Sequence, residues 1–387
     1  MSDGVATIPT DLLGFSSISL IGLVNGASMT LLEHNDLQSA PAPLPNQIPQ
    51  RFWTGTSFHS PEVYELDCGG FAMDDADLRP DSALAGRMRE IYDAVGLVVL
   101  RNTGLTEAAA MRSFAQLMVG AEMEYEGGAN PRDKIEGNVY EIGAPLVARL
   151  PYHHEMSYVS KSTKLISFIC IDDLPDRGAT FVSDGVASTD ALLATEFGQK
   201  LKEHGVCYHR SLTDATSFAD GIGYGVYNHW QQSFGTDDPA VAEAKAVERG
   251  LIVEWGPHRK MLTRFYNPAF EYFPRLDRNL LYASLADHGI WFDTWPLVQH
   301  LPFEERPLHM TFGDDTDFTH SELEQFIKVY DDYGTKVDWR QGDVAVICNY
   351  RFAHGRPEID LEDGESRKLG VLLGEQFDRI GQLPDKW

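Results

Sequence analysis

The feature that most constrains the fold is a series of short apolar segments, bounded by turn residues, that do not alternate regularly with helices. A nucleotide-binding parallel sheet requires that alternation, and neither a GxGxxG nor a GxxxxGK[ST] motif follows any of these segments. The pattern therefore predicts a mainly β fold with flanking helices. Eight strands are predicted, at residues 96–100, 150–159, 164–171, 205–211, 261–266, 335–339, 343–350 and 366–374.

Capping residues and apolar spacing predict four helices. Ser82, Thr106 and Thr189 are expected to begin three of them, because a hydroxyl oxygen can accept a hydrogen bond from a free N–H of the first turn. A capping box over residues 321–324 is expected to begin the fourth. The predicted helices cover residues 82–95, 106–119, 189–205 and 321–333.

The charge of the chain limits its partners. It has 32 basic and 58 acidic residues, a formal net charge of −26, and such a surface repels nucleic acid and anionic membranes. The four cysteines form no CxxC pair, which favours free thiols in a reducing compartment over a zinc site or disulfides. We therefore expect a cytoplasmic protein with a small-molecule substrate and predict no nucleic-acid or membrane partner. The oligomeric state stays open.

The first fifty residues are predicted to lie outside the main domain. Residues 12–32 carry no charge, but Gly and Ser interrupt them and no Lys or Arg precedes Arg51. That composition suits neither a membrane span nor a signal peptide. The prolines within residues 41–49 indicate an extended connector. We predict an N-terminal extension with a Pro-rich connector over residues 1–50, and a single domain with helical insertions over 51–387.

Two short motifs predict a metal site. His153 and Glu155 are two residues apart in a predicted strand, so their side chains point to one side while His154 points to the other. His354, which follows the apolar run 344–348, is the candidate third ligand. Two histidines and one carboxylate form the facial triad that binds iron and leaves three coordination positions open. Taken singly, a His-x-Glu pair often occurs by chance, and His354 could be a surface loop residue.

A basic residue near the end of the chain predicts an anion site. Arg367 shares a predicted strand face with Leu369, Val371 and Leu373, so its guanidinium points toward the interior. A buried charge of this kind requires an anion, and a carboxylate that accepts two hydrogen bonds is the natural partner. That carboxylate could belong to a ligand, or to one of the acidic residues of the chain in a structural ion pair.

Together these residues resemble the iron(II)/2-oxoglutarate-dependent oxygenases of the taurine dioxygenase (TauD/TfdA) and clavaminate synthase-like superfamily. The shared motifs are the His-x-Glu pair, a distal His preceded by a Gly-Asp turn and a strand ending in Asn, and an Arg downstream of that His. Lys164-Leu165 resembles the cofactor-contacting strand of that family, and Gly178-Ala179-Thr180 resembles its Gly-x-Thr turn. The likeness runs from about residue 95 to about residue 375.

The resemblance implies a fold and a set of cofactors. The fold is a double-stranded β-helix, a jelly roll of two packed sheets. The cofactors are Fe(II) and the cosubstrate 2-oxoglutarate, which chelates the metal, with O₂ at the last open position. The residues expected to hold the iron are His153, Glu155 and His354, and those expected to contact 2-oxoglutarate are Arg367, Thr180 and Leu165.

Two positions narrow the chemistry within that family. Some relatives carry a second Arg for an anionic substrate at the position that is Val371 here, so a sulfonate held in that way is not expected. Halogenating relatives replace the acidic ligand with a small residue, whereas Glu155 is present here. Halogenation is therefore not expected.

The resemblance also implies the reaction. 2-Oxoglutarate is converted to succinate and CO₂ while an unactivated C–H bond is oxidised by hydroxylation, desaturation or oxidative ring closure. We expect a small, carboxylated, amino-acid-derived substrate, because Arg132 could hold a carboxylate. The alternatives are a cupin-like metalloenzyme that does not use 2-oxoglutarate and a non-catalytic jelly roll that binds a small molecule. The expected substrate contacts are Arg132, Asn130, Tyr125, Tyr158 and Asn267.

Overall fold

Two antiparallel sheets that share one apolar core form the centre of this protein in its computed structural model. The structure describes residues 57–128, 130, 132–216, 227–285, 301–302 and 305–379. The predicted extension over residues 1–50, with its uncharged stretch, lies outside the described residues. The division into an extension and a single domain therefore remains a prediction.

The described residues contain eighteen strands and seven α-helices. The strands are β1 (Glu65–Asp67), β2 (Leu97–Arg101), β3 (Glu122–Met123), β4 (Lys134–Glu136), β5 (Val139–Glu141), β6 (Leu150–His153), β7 (Lys161–Asp172), β8 (Thr180–Asp184), β9 (Val206–Leu212), β10 (Ile252–Trp255), β11 (Met261–Asn267), β12 (Phe270–Phe273), β13 (Arg278–Leu281), β14 (Leu308–Phe312), β15 (Gly334–Val337), β16 (Val344–Cys348), β17 (Phe352–Arg356) and β18 (Lys368–Asp378). The helices are α1 (Ala83–Val95), α2 (Ala108–Val119), α3 (Gly185–Leu193), α4 (Glu196–His204), α5 (Trp230–Phe234), α6 (Pro239–Glu248) and α7 (His320–Asp332).

Eight of these strands form the predicted jelly roll. In the larger sheet, β5, β18, β7 and β16 lie side by side in that order, and in the smaller sheet the order is β6, β17, β8 and β15. All neighbouring pairs within these two sets are antiparallel. Successive strands along the chain cross from one sheet to the other, except between β8 and β15. The fold class predicted from the sequence, mainly β with a double-stranded β-helix, is confirmed.

The larger sheet lies between two apolar layers, and the side chains of β7 pack into both of them. Its side chains alternate between faces, as strand geometry requires. Ile166 and Phe168 belong to the core between the sheets, together with Val182 of β8. Leu165 and Ile169 point to the outer face, where they pack with side chains of α1 and α2. Only the inner face of β7 can therefore contribute to a site between the two sheets.

The chain between β8 and β15 adds a second group of elements to this core. It contains the sheet β10-β11-β9-β14, the hairpin of β12 and β13, and helices α3 to α7. Residues 217–226, 286–300 and 303–304, which lie outside the described residues, belong to this stretch of the chain. No helix in the described part of the chain is both long and apolar enough to cross a membrane.

One predicted helix, over residues 189–205, is in fact two helices. Asp184 at the end of β8 caps α3 directly, so the helix begins four residues earlier than predicted. The chain then breaks before α4, where the Thr195 hydroxyl accepts a hydrogen bond from the Gly198 N–H at 3.0 Å. This internal cap supports a new first turn and outweighs the continuous helical spacing. Ser82 caps α1 as predicted.

Two other helix starts also differ from the prediction. The second helix does not begin at Thr106, because its N-cap is Glu107, whose side chain makes no capping hydrogen bond. The capping box of α7 is formed by Thr319 and Glu322, not by residues 321–324. The predicted box was wrong by two residues because two hydroxyl residues close together each precede an acidic residue by three positions.

Gly355 sets the close approach of β17 to β6. A Cβ atom at this position would lie 2.6 Å from the Leu150 carbonyl oxygen and 2.9 Å from the Pro151 carbonyl carbon. Alanine must therefore push the two strands apart. We expect Gly355→Ala to lower the free energy of unfolding by about 2 kcal/mol, as measured by urea denaturation.

Gly86→Ala provides the matched control. Gly86 is exposed in α1, and a Cβ atom there would meet no other atom within 4 Å. Alanine is favoured over glycine inside a helix by about 0.5–1 kcal/mol, so this variant should be at least as stable as the native protein. Equal stability of the two variants would contradict the proposed role of Gly355.

Candidate active site

The smaller sheet brings the two predicted histidines together. His354 of β17 is paired directly with His153 at the end of β6, and their ring centroids lie 4.3 Å apart. Glu155 follows two residues later, with its Oε2 3.8 Å from Nε2 of His354. One potential ligand atom from each of the three side chains lies within 4.8 Å of the others. The spacing and chemistry of this group suit a divalent metal ion.

The sequence-based explanation of why Glu155 lies beside the two histidines was partly wrong. The strand predicted over 150–159 ends at His153, and Glu155 lies in the turn that follows. Met156, in the same turn, has a φ of 57°, a left-handed conformation that a strand cannot contain. Strand alternation therefore does not place Glu155 beside His153. The turn after β6 places Glu155 there instead, and a residue from elsewhere in the chain holds this turn in position.

Asn349 holds the turn that carries Glu155. Its Oδ1 accepts a hydrogen bond from the Glu155 N–H at 2.9 Å, and its Nδ2 donates to the Glu155 carbonyl at 3.0 Å and to the Thr163 carbonyl at 2.8 Å. The side chain is fully buried between β16 and β17. Sequence reasoning used Asn349 only as a marker preceding His354. A buried amide directly after an apolar strand was the available signal, because such a group must find several partners.

Both candidate histidines are held as neutral imidazoles. The ring of His153 places Nδ1 2.8 Å from the Pro151 carbonyl, which can only accept, so Nδ1 carries the proton and Nε2 carries the free lone pair. Burial lowers the pKa of His153. Burial lowers the pKa of His354 further, and the neighbouring His153 adds to the effect. Neutral imidazole is the form that binds metal, so protons do not compete near neutral pH.

The cavity beside this group ends at Arg367, which the sequence predicted as an inward guanidinium. Its Nε donates to the Gly178 carbonyl at 2.8 Å, and its Nη2 is buried without a hydrogen-bond partner. Burial lowers its pKa to about 10. Thr180 lines the same cavity, and its Oγ1 accepts from Nε1 of Trp339 at 2.9 Å, which leaves the hydroxyl proton free to donate. Arg367 forms no ion pair with any described acidic residue. The alternative prediction, a structural ion pair within the chain, is therefore not supported by the described residues.

A second, adjoining cavity collects four of the predicted substrate contacts. Tyr125, Asn130, Arg132 and Tyr158 line it, next to His153 and Glu155. Nη2 of Arg132 lies 3.1 Å and 3.3 Å from the two carboxylate oxygens of Glu155, and the guanidinium stacks 4.2 Å from the Tyr125 ring centroid. Its Nε and Nη1 are buried and have no partner among the described residues.

Two predicted site residues lie elsewhere. Leu165 points to the outer face of the larger sheet and packs in the layer under α1 and α2, so the prediction that it contacts a cosubstrate is not supported by its position. The inward neighbour Phe168 lines the cavity instead. Asn267 ends β11, paired with Val206 in the insertion sheet, and lines neither cavity. Strand alternation applied to β7 would have identified Phe168.

A second set of metal-binding side chains, Cys207, His209 and Asp315, lies in the insertion. Asp315 is exposed and already accepts hydrogen bonds from the Tyr266 hydroxyl at 2.9 Å. Arg264 is paired with His209 on the neighbouring strand and places a positive charge beside it. A cation is therefore better accommodated at the buried group formed by the two paired histidines and Glu155.

Comparisons with known proteins identify a matching family and several similar proteins. A family model described as "Taurine catabolism dioxygenase TauD, TfdA family" matches residues 67–373. A clavaminate synthase-like protein from Arabidopsis thaliana is 27% identical over 271 residues, which cover 68% of this chain and 78% of that protein. The dapdiamide synthesis protein DdaC from Enterobacter agglomerans is 21% identical over 281 residues, covering 70% and 81%. Among solved structures, PvcB from Pseudomonas aeruginosa is similar with a TM-score of 0.44 and 15% identity, covering 80% of this chain and 84% of that one.

Asn349 offers a test of how the site is held. We expect Asn349→Ala to weaken metal binding about 10- to 100-fold, because the turn that carries Glu155 loses its fixed position while all three candidate ligands remain. Anaerobic titration with Fe(II) measures the affinity. The control is Asn102→Ala, which removes an exposed amide that donates to Asp67. An Asn349→Ala variant that is folded and binds Fe(II) as tightly as the native protein would contradict this role.

Proposed function

The chain belongs to the TauD, TfdA family of dioxygenases, and on that premise we propose that His153, Glu155 and His354 hold its Fe(II) while Arg367 binds 2-oxoglutarate. The family resemblance drawn from the sequence is thereby confirmed, and the protein is an iron- and 2-oxoglutarate-dependent oxidoreductase. The roles of individual residues, the substrate and the outcome of the oxidation are the proposal.

The donor set fits Fe(II). Two neutral imidazoles and one carboxylate, with ligand atoms within 4.8 Å of one another, are the protein ligands of the facial triad. The hydrogen bond from His153 to the Pro151 carbonyl fixes the ring and leaves Nε2 for the metal. Three ligands on one side leave room for the cosubstrate and O₂.

The observation that carries the proposal is the guanidinium of Arg367. It is buried beside the triad, forms no ion pair with a described residue, and has an unpartnered Nη2. A buried charge without a counter-ion is strongly unfavourable, so an anionic ligand is expected there. The far carboxylate of 2-oxoglutarate supplies that anion, and the Thr180 hydroxyl supplies a further donor. A cupin-like enzyme without 2-oxoglutarate would leave Arg367 without a partner.

The chain's own side chains place the substrate beside the metal. When bound, iron, 2-oxoglutarate and O₂ would supply the oxidising chemistry that removes hydrogen from an unactivated C–H bond, with release of succinate and CO₂. Phe168 and Ile142 line the cavity with apolar side chains. Arg132 keeps Glu155 oriented through Nη2 and offers Nε and Nη1 to a substrate carboxylate.

We propose a small, carboxylated, amino-acid-derived substrate that is hydroxylated, desaturated or cyclised. The two unpartnered nitrogens of Arg132 support a carboxylate, and the aromatic side chains of Tyr125 and Tyr158 support a compact binding space. Two relatives, one named for its likeness to clavaminate synthase and one for dapdiamide synthesis, are consistent with this class. The shape of the substrate decides which outcome follows, because positioning at the metal selects among them.

The first test is spectroscopic. Anaerobic addition of Fe(II) and 2-oxoglutarate should give a visible metal-to-ligand charge-transfer band, because the keto acid chelates the iron. His153→Ala and His354→Ala should abolish the band, since each removes a ligand. His209→Ala is the control, because it removes an imidazole from the second metal-binding group and should leave the band intact. Native, folded protein without a band would falsify the proposed site.

The second test concerns the substrate. Screening carboxylated metabolites for stimulated succinate release identifies candidates, and the mass of the product identifies the reaction. For such a substrate, Arg132→Met should raise KM about 10- to 100-fold, because the carboxylate loses its charged partner. The control is Lys134→Met, which removes an exposed cation two residues away. An unchanged KM for Arg132→Met would remove Arg132 from substrate binding.

A further inference from the structure

A second buried guanidinium lies at the end of the cavity that holds Arg367. Arg356 is the last residue of β17, two positions after His354, and only 3% of it is exposed. Arg356, Arg367, Thr180 and His354 all line the same cavity. The sequence analysis assigned Arg356 no role.

All five groups that accept hydrogen bonds from Arg356 are neutral. Its Nη1 donates to the carbonyls of Leu146, Ala148 and Pro357, at 2.8, 2.7 and 3.1 Å. Its Nη2 donates to the carbonyls of Ala144 and Pro145, at 3.3 and 2.8 Å. These bonds fix the position of the guanidinium but leave its charge without a counter-ion.

The two described carboxylates nearest to Arg356 in the cavity and in the sequence are each paired with another guanidinium. Glu155 lines the cavity but is paired with Arg132. Glu358 is close in sequence, yet its carboxylate forms a two-pronged pair with Arg149, at 2.8 Å for both bonds. Within the described residues, neither Arg356 nor Arg367 forms an ion pair.

Two uncompensated guanidiniums that face one cavity repel each other and are costly to bury. One carboxylate would compensate only one of them. The arrangement is favourable when the ligand carries two negative charges, as a dicarboxylate does. Holding the backbone of residues 144–148 does not by itself require a charge, because a neutral donor can also bond to carbonyls.

We propose that Arg356 is a specificity-determining residue that, together with Arg367, makes the cosubstrate site selective for a dianionic 2-oxo acid. This inference rests on the proposed function. Arg367 binds the far carboxylate directly, whereas the charge of Arg356 acts across the cavity from a fixed position. The preference ratio for 2-oxoglutarate over a monoanionic 2-oxo acid is then the product of one factor from Arg367 and one factor from Arg356.

The test compares 2-oxoglutarate with 2-oxopentanoate, which has the same chain length but lacks the far carboxylate. Anaerobic titration of the Fe(II) protein, followed by the charge-transfer band, gives a dissociation constant for each ligand and a preference ratio. Arg356→Gln should lower the ratio about tenfold, the effect of removing one nearby charge from a partly buried site. Arg356→Lys keeps the charge and should retain most of the ratio, although it loses the fixed bonds to residues 144–148.

Arg306→Gln is the matched control. Arg306 is as deeply buried as Arg356 and also donates to a backbone carbonyl, that of Leu301 at 3.1 Å, but it does not line the cosubstrate cavity. Its replacement should leave the preference ratio unchanged. If Arg356→Gln and Arg356→Lys lower the ratio equally, or neither lowers it, Arg356 only supports the backbone and the proposal is overturned.

Arg367→Gln tests the proposal without altering Arg356. A residual preference of about tenfold for 2-oxoglutarate is expected, because the second charge is still present. Complete loss of the preference would overturn the proposal even if the Arg356 variants did not fold. Native protein that shows no charge-transfer band with 2-oxoglutarate would instead contradict the proposed function, and this inference with it. A normal band, together with a preference ratio that does not change in the Arg356 variants, would contradict this inference but not the proposed function.

Discussion

The pairing of β6 with β17 is the constraint on which the rest of the site depends. It places His153 opposite His354, and the glycine beside His354 allows the two backbones to approach closely. Asn349 then joins the end of β16 to the turn beyond β6, so the third candidate ligand is fixed relative to the first two. Two side chains that are neighbours in sequence and a third about two hundred residues away are thus held by backbone hydrogen bonds and one amide, before any ligand contributes energy.

The cavity is rich in positive charge, whereas the whole protein carries a large negative charge. The chain carries a formal charge of −26, yet Arg132, Arg356 and Arg367 line a cavity that contains the single carboxylate of Glu155. A concentration of positive charge inside low-dielectric walls attracts anions strongly. The positive charge of the cavity is consistent with the proposed binding of small carboxylates. The same acidic residues that dominate the composition are therefore kept out of the place where the cosubstrate is expected.

The sequence predicted those parts of the structure that depend on local periodicity. Five of the eight jelly-roll strands (β6, β7, β15, β16 and β18) and the inward position of Arg367 follow from apolar alternation, and the candidate histidines follow from motifs. Strands β5, β8 and β17 were not predicted. The turn at Glu155 did not, because it is stabilised by Asn349, almost two hundred residues away. Leu165 was assigned to the site by resemblance to a segment, although alternation from its neighbours places it on the outer face. Arg356 was missed because nothing local distinguishes a buried guanidinium from one in a solvated loop.

The insertion between β8 and β15 connects the shared scaffold to the substrate end of the cavity. Arg210 of β9 donates to the carbonyls of Gly127 and Gly128, and Asn228 donates to the Gly128 carbonyl at 2.8 Å. These bonds hold the segment that carries Tyr125 and Arg132. The jelly roll therefore positions the two candidate histidines and Arg367, whereas the insertion helps to hold the segment proposed to face the substrate. The insertion also supports the turn after β6, because the Tyr282 hydroxyl donates to the Glu155 carbonyl and the Ser284 hydroxyl donates to the His154 carbonyl, both at 3.3 Å. Changes in the insertion can therefore affect both the proposed substrate wall and the third candidate ligand.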